Sequence, residues 1–402
     1  MDKIHRNSDR NAIVDALRGL AILWIVAYHL WLLTWLTPSI KIFNFTLDLS
    51  FLVRDGHLGV ELFIFISGFS LFYPFAMSHF HKTPEPKFSY FFKKRILRIV
   101  PSCYLGVIGG LIITMLLSPG KITSFGQGVW HVLAHFLFIH NLFYDTYDSL
   151  LSVLWMMGMI VQFYLIFPVI CRAFRKKPLL TFGLLGLISA LYRYLVINCW
   201  EQDLTRLISM LPAFLDVFVC GMAAAYIVCY LKQFEQQLEK IRFFATLAAL
   251  LAFVWFIQLV RSSYFSILNI KNGYGIWQST NRLLLGLDFL FFTVSATYAY
   301  RFFRVFFANP VLKFLAAISY NLYIWHQEIG IIFLQLKLIP AVTPDPKADR
   351  HWQIWYTVVV FSVSLVVAVI LTYGFERPVT RHLSLFLKKI TGTKSVEPTA
   401  DG

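Results

Sequence analysis

Apolar runs of about twenty residues recur along the chain, separated by short links that are polar, basic or broken by Gly and Pro. Those long enough to cross a ~30 Å hydrocarbon core as helices lie near 12–34, 58–77, 96–117, 150–171, 179–197, 208–231, 243–260, 283–300, 313–336 and 353–375. The pattern predicts an all-α polytopic membrane protein of about ten transmembrane helices, forming a single membrane domain over 12–390. A further stretch, Val129 to Phe143, is interrupted by His131, His135 and His140. It is too short for a crossing and predicts one short re-entrant helix, which membrane depth tolerates only where protein or water surrounds it.

Composition supports this class. Of 402 residues, 58% are hydrophobic and only 14% charged, well above the ~45–50% apolar share of soluble domains. The first run carries Asp15 and Arg18 near its start and no small-residue cleavage site before Trp31, so it is expected to be a retained span rather than a signal peptide. The net charge of +15 is explained by position better than by nucleic acid, because basic residues of membrane proteins gather in cytoplasmic loops. With ten crossings and a cytoplasmic N-terminus, the basic clusters at 82–98, 172–177 and 232–242 all fall inside. A crossing at 129–143 would turn Arg172 to Lys177 outward. Both termini are therefore expected on the cytoplasmic side, as a segment at 1–11 and a disordered tail at 391–402. The five cysteines are scattered through apolar segments and suggest neither a disulfide framework nor a zinc site.

Candidate chemistry lies in the polar residues left inside the spans. Charge there is costly, by at least ~2.5 kcal/mol for a central arginine, so such residues should face the interior. Arg18 and His29 are eleven residues apart, which on a helix brings them within ~20° of one face and ~16 Å along the axis. The expected topology sorts the rest by depth. Arg95 and Arg98 open the third span level with Arg18, whereas Glu61 and His326 fall in the outer half with His29. Arginines give bidentate contacts to phosphate and suit a phosphorylated donor from the cytosol. A histidine titrates near neutrality and can take a hydroxyl proton, with a carboxylate such as Glu61 orienting its ring. The separation is of the order of a pantetheine arm.

Other readings weigh against these. Arg95 and Arg98 could simply anchor a helix start, Arg18 could snorkel, and His29, Glu61 and His326 could be interior or solvated polar groups. His131 and His135, four apart, could share a metal but have no evident third ligand; no metal is expected. Ser67 lies about 120° from the Glu61 face, which disfavours a nucleophile.

The motifs of this chain resemble the acyltransferase-3 family. The resemblance rests on Asp15-Ala-Leu-Arg18-x10-His29, on Gly59-Val60-Glu61 running into Ser67-Gly68-Phe69, and on Arg95-Ile-Leu-Arg98-Ile99-Val-Pro101. It continues through Gln162-Phe163-Tyr164-Leu165, Ser319-Tyr320 through Trp325-His326, and Glu376-Arg377-Pro378. These fall in family order over nearly the whole chain. The resemblance implies an integral membrane O-acyltransferase that moves an acyl group, usually acetyl, from acyl-CoA to an extracytoplasmic glycan or lipid-linked saccharide. It implies catalytic roles for His29, Glu61 and His326, CoA contacts from Arg18, Arg95 and Arg98, and a site lined by Ser67, Tyr164, Tyr320 and Trp325. Acyl-CoA is then a co-substrate and no cofactor is bound permanently. The implied partners are the acceptor, membrane lipids and glycan assembly proteins, without nucleic acid, in a bacterial inner membrane. One departure is Ile160, where the family commonly has glutamate. The short stretch after Pro378 leads us to expect a stand-alone module without a C-terminal esterase-like domain. A transporter or channel, with histidines relaying protons and arginines selecting an anion, is the competing class, and a scaffold for glycan export is a third.

Overall fold

The computed structural model describes residues 2–391 apart from Asn44, Ala308 and Val342; of the tail expected at 391–402, Thr391 ends a helix and the rest lies outside the described residues. Helix α1 (Asp2–Thr34) is followed by a two-stranded antiparallel hairpin, β1 (Ser39–Ile42) and β2 (Phe45–Asp48), and a short α2 (Ser50–Arg54). Then come α3 (Gly59–His81), α4 (Phe88–Leu117), the short α5 (Phe125–Phe136), α6 (Trp155–Lys176) and α7 (Pro178–Cys199). The second half holds α8 (Leu204–Leu207), α9 (Leu215–Leu231), α10 (Glu235–Leu238), α11 (Arg242–Asn269), α12 (Gly273–Tyr298) and α13 (Arg301–Phe307). It closes with α14 (Pro310–Gln335), α15 (Arg350–Ile370) and α16 (Arg377–Thr391), the last two joined by a π-helical turn at Leu371–Glu376.

All ten apolar runs fall on helices. Among the described residues, seven helical stretches are long and apolar enough to cross a membrane, or eight if α13 and α14, bent by 42° at their junction, count as one span. One of these stretches, Leu211–Asn269, contains both α9 and α11. Helix α12 is not among them, because Gln278, Arg282 and Asp288 interrupt its apolar character. The chain is thus a multi-pass helical membrane protein. Helix α5 has 12 residues, a rise of ~18 Å, too short to cross.

Local chemistry sets the helix ends. Ser124, Asn309 and Asp349 cap α5, α14 and α15 by accepting from Gln127, Leu312 and Trp352 backbone N–H groups at 3.2, 2.9 and 3.1 Å, and Pro178 and Pro310 take first-turn positions that lack an N–H partner anyway.

Close contacts then fix helix order and direction. A Cβ on Gly19 of α1 would collide with the Leu312 carbonyl of α14, and His29 touches His326 further along both helices. Helices α1 and α14 therefore run parallel. Helix α3 runs antiparallel to α1, since Gly59 lies against Ala21 and Ile25 while Ser70 lies against Arg18. Gly68 and Gly221 bring α3 and α9 together, each where a Cβ would strike the other helix's backbone. Helix α4 lies alongside α14 in the same direction, with the Tyr320 hydroxyl on the Ile99 carbonyl at 2.7 Å and the Trp325 ring over Gly109. Arg18, Arg98 and Tyr320 thus fall near one end of the bundle, and His29 and His326 nearer the other.

Candidate active site

His29 sits on the α1 face that meets α14. Its Nδ1 is 3.0 Å from the Ile25 carbonyl and 3.0 Å from Nε2 of His326. His326 is buried, and its Nδ1 lies 2.9 Å from each of the Leu322 and Tyr323 carbonyls. A carbonyl only accepts, so the His326 proton is on Nδ1 and its neutral Nε2 presents a lone pair. Nδ1 of His29 therefore faces two acceptors and must carry hydrogen. The neutral His29 ring is left with its lone pair on Nε2, and the ring remains partly exposed. One helical carbonyl and one neighbouring histidine together fix the tautomer of a potential base.

The expected contact between Glu61 and His29 is not what the structure contains. The Glu61 Oε1 pairs with Arg282 of α12 at 3.3 Å, both side chains almost wholly buried. Glu61 is on the α3 side that packs toward α12, whereas His29 faces α14, so the two groups serve different seams. Arg282 is anchored further by Gln278 Oε1 at 2.9 Å and the Ile208 and Ala213 carbonyls at 3.0 and 3.2 Å, with Phe214 stacked 3.9 Å from its guanidinium. Beside it, Arg193 donates to Asp216 at 2.7 Å and shares the Ala213 carbonyl. Two buried ion pairs thus brace the helices behind Glu61. Removing one member of such a pair leaves an uncompensated charge, which typically costs ~3–5 kcal/mol.

At the other end, Arg18 donates to Asp15 at 3.3 Å and to Ser70 at 3.5 Å. Arg95 and Arg98 lie within electrostatic reach of it. The Arg95 guanidinium is 5.6 Å from the Tyr164 ring centre, which puts Tyr164 in the arginine layer rather than beside His29. Glu376 accepts from Asn321 at 2.6 Å and Ser102 at 3.3 Å, tying the Glu376-Arg377-Pro378 motif to α4 and α14 near Arg98. Ser67 stands beside the Gly68 contact with α9, and the serine that meets Arg18 is Ser70, one turn on.

Near Ile160, buried on α6, Gln162 donates to Asn141 at 2.8 Å and Phe138 at 3.3 Å, which commits it to the loop after α5. The His135 ring, in the last turn of α5, stacks on that of His140 in this loop at 4.0 Å. Nδ1 of His135 meets the His131 carbonyl at 2.8 Å, and Nε2 of His140 the Leu154 carbonyl at 2.9 Å. Among the described residues no group of three or more His, Cys, Asp or Glu side chains could hold a metal ion.

Sequence reasoning missed Arg282, because it adjoins an apolar run and reads as a loop charge. The available signal was Gln278 one turn before it, two polar residues on one face of a helix.

The structure thus places a fixed histidine pair at one end of the α1–α14 seam of a multi-pass helical membrane protein and a group of arginines at the other. The acyltransferase domain family matches residues 11–373, and the chain belongs to that acyltransferase-3 family. A presumed O-acetyltransferase of Staphylococcus aureus (strain COL) is 25% identical over 78% of this chain and 49% of its own length. The peptidoglycan O-acetyltransferase OatA of Listeria monocytogenes is 27% identical over 44% of this chain and 28% of its own. A regulator of hypoxia-inducible factor 1 from Caenorhabditis elegans is 24% identical over 84% of this chain and 74% of its own. The chain spans about half the length of the Staphylococcus aureus relative. No solved structure is significantly similar to it.

Proposed function

We propose that the protein is an O-acyltransferase that moves an acyl group, acetyl in the first instance, from cytoplasmic acyl-CoA to a hydroxyl of an extracytoplasmic glycan or lipid-linked saccharide in a bacterial inner membrane. The observation that carries this reading is the His29–His326 contact at 3.0 Å, with its hydrogens fixed by carbonyls. In the proposed step, Nε2 of His29 takes the acceptor hydroxyl proton while the oxygen attacks the thioester carbonyl carbon. The new C–O bond forms, the C–S bond breaks, and the leaving CoA thiolate recovers the proton from the imidazolium. His326 Nε2, accepting from His29 Nδ1–H, holds the ring and shares the positive charge that develops. Arg18, Arg95 and Arg98 contact the CoA phosphates, and Tyr164 shapes that end. Glu61 supports the site through Arg282, while Tyr320, Trp325 and Ser67 line the passage between the two ends. Ten crossings with both termini cytoplasmic belong to the same proposal, supported by the parallel course of α1 and α14 and by the basic loops.

Purified protein in liposomes, given acetyl-CoA on one side and a membrane saccharide on the other, tests the reading. Free CoA should appear together with an acyl-sized mass increase on the acceptor. Solute flux with the thioester left intact would favour the transporter class and overturn it.

A further inference from the structure

A groove of about 410 Å³ opens between α1 and the first half of α15, roofed by the link from α1 to the hairpin. This is within the size range of small-molecule sites, ~300–1,000 Å³. Its walls are Leu23 and Ala27 of α1 with Ile354, Val358 and Phe361 of α15, and at its end stand Trp31, Thr34 and Arg350. Helix α1 ends where α15 begins, so the groove runs along the apolar body of the bundle and finishes at one membrane boundary. That is the end nearer to His29.

The closed end is polar and basic. Arg350, exposed, spends one donor on the Thr37 carbonyl at 3.0 Å. Lys347 lies 5.0 Å over the Trp35 ring, and Arg54 lies 4.9 Å over the ring of Trp31. None of the nearby acids among the described residues lines the groove: Asp345 accepts from the Lys347 backbone N–H at 3.0 Å, Asp349 from that of Trp352 at 3.1 Å, and Asp48 and Asp55 lie within electrostatic reach of Arg54. The Trp31 indole N–H is buried and has no acceptor among the described residues. An apolar trough a few side chains wide, with the Arg350 guanidinium at its end and further cations and an unused N–H donor close by, matches one chemistry. It fits a hydrocarbon chain attached to a phosphate.

We infer that this groove binds a phosphate-bearing membrane lipid, its chain lying between Ala27 and Val358 and its phosphate meeting Arg350 and the Trp31 N–H. The inference rests on the acyltransferase reading for its role: a saccharide carried on such a lipid would reach the end of the bundle nearer to His29, which is five residues, ~7.5 Å of helix, before Thr34. The acceptor class would then be a lipid-phosphate-linked saccharide rather than a free polysaccharide.

The full chain, purified in an uncharged glycoside detergent, can be irradiated with phosphatidic acid carrying a diazirine in its acyl chain, or with the diacylglycerol of identical chains. Peptides containing Leu23–Leu36 and Arg350–Phe361 should be labelled at least fivefold more by phosphatidic acid. Arg350→Gln should bring that labelling down to the diacylglycerol level, and Ala27→Trp, which fills the groove, should remove it with both probes. Equal labelling of the unaltered protein by the two lipids, or labelling spread evenly over other apolar helices such as α7, would overturn the inference. Labelling needs no turnover, so a failed groove leaves the catalytic reading standing, and intact labelling of a protein without transferase activity would remove that reading alone.

Discussion

At one end of the α1–α14 seam two histidines meet ring to ring, each with Nδ1 on a backbone carbonyl at 2.9–3.0 Å. At the other end Arg18 makes only long contacts, 3.3 Å to Asp15 and 3.5 Å to Ser70, with two further arginines in electrostatic reach. Under the proposed function, the difference follows from what each end would do. A proton acceptor is useful only if its lone pair points one way, and backbone carbonyls of a rigid helix are the least movable means of ensuring that. Phosphate recognition tolerates adjustment, because a guanidinium offers five donors and can rotate onto several oxygens. The fixed end is suited to chemistry, and the loose end to binding.

Substitutions should separate the two ends from each other and from the scaffold behind them. The largest effect on folding is expected from Arg282→Met, which strands the Glu61 carboxylate in the interior. It should lower stability by ~3–5 kcal/mol, read as a drop in the thermal midpoint in detergent. The double change Glu61→Met with Arg282→Met should recover most of that loss. Full recovery of both stability and turnover would limit Glu61 to bracing the fold.

His326→Ala comes next. It removes a hydrogen bond to a charged imidazolium, worth ~1.5–3 kcal/mol, or about 10- to 150-fold in kcat. The apparent affinity for acyl-CoA should hold, and His326→Gln, which keeps an acceptor, should be milder. Arg18→Gln or Arg98→Gln should do the opposite. KM for acyl-CoA should rise about tenfold with kcat little changed, the signature of binding shared by ground and transition states, and the difference from the unaltered protein should shrink as salt rises, because these groups are partly exposed and their attraction for phosphate is screened. A kcat effect at the arginines or a KM effect at His326 would erase the contrast between the ends.

Much of this was legible in the sequence because a membrane is a simple solvent. Apolar runs of the right length became helices, and polar residues inside them had to face inward, which singled out Arg18, His29 and His326. Pairing was not legible. Nothing in the order of residues tells that Glu61 faces α12 while His29 faces α14, since that depends on how α1, α3 and α9 rotate at their Gly19, Gly68 and Gly221 contacts. The hairpin at 39–48 escaped notice because four-residue strands leave little periodicity. Helix α16 is a different case: its 15 residues are strongly amphipathic but polar on average, so they fall outside the last apolar run at 353–375, and a π-helical turn carries the chain on to Thr391.

The most direct test is the rate of acyl transfer by His29→Gln, measured against the unaltered protein in the same liposomes at saturating acyl-CoA. Glutamine keeps a hydrogen-bonding group near His326 but cannot take a proton. The fixed-base account predicts a loss of ~10²–10⁴-fold with acyl-CoA binding unchanged, whereas a variant that transfers acyl groups at close to the original rate would contradict it.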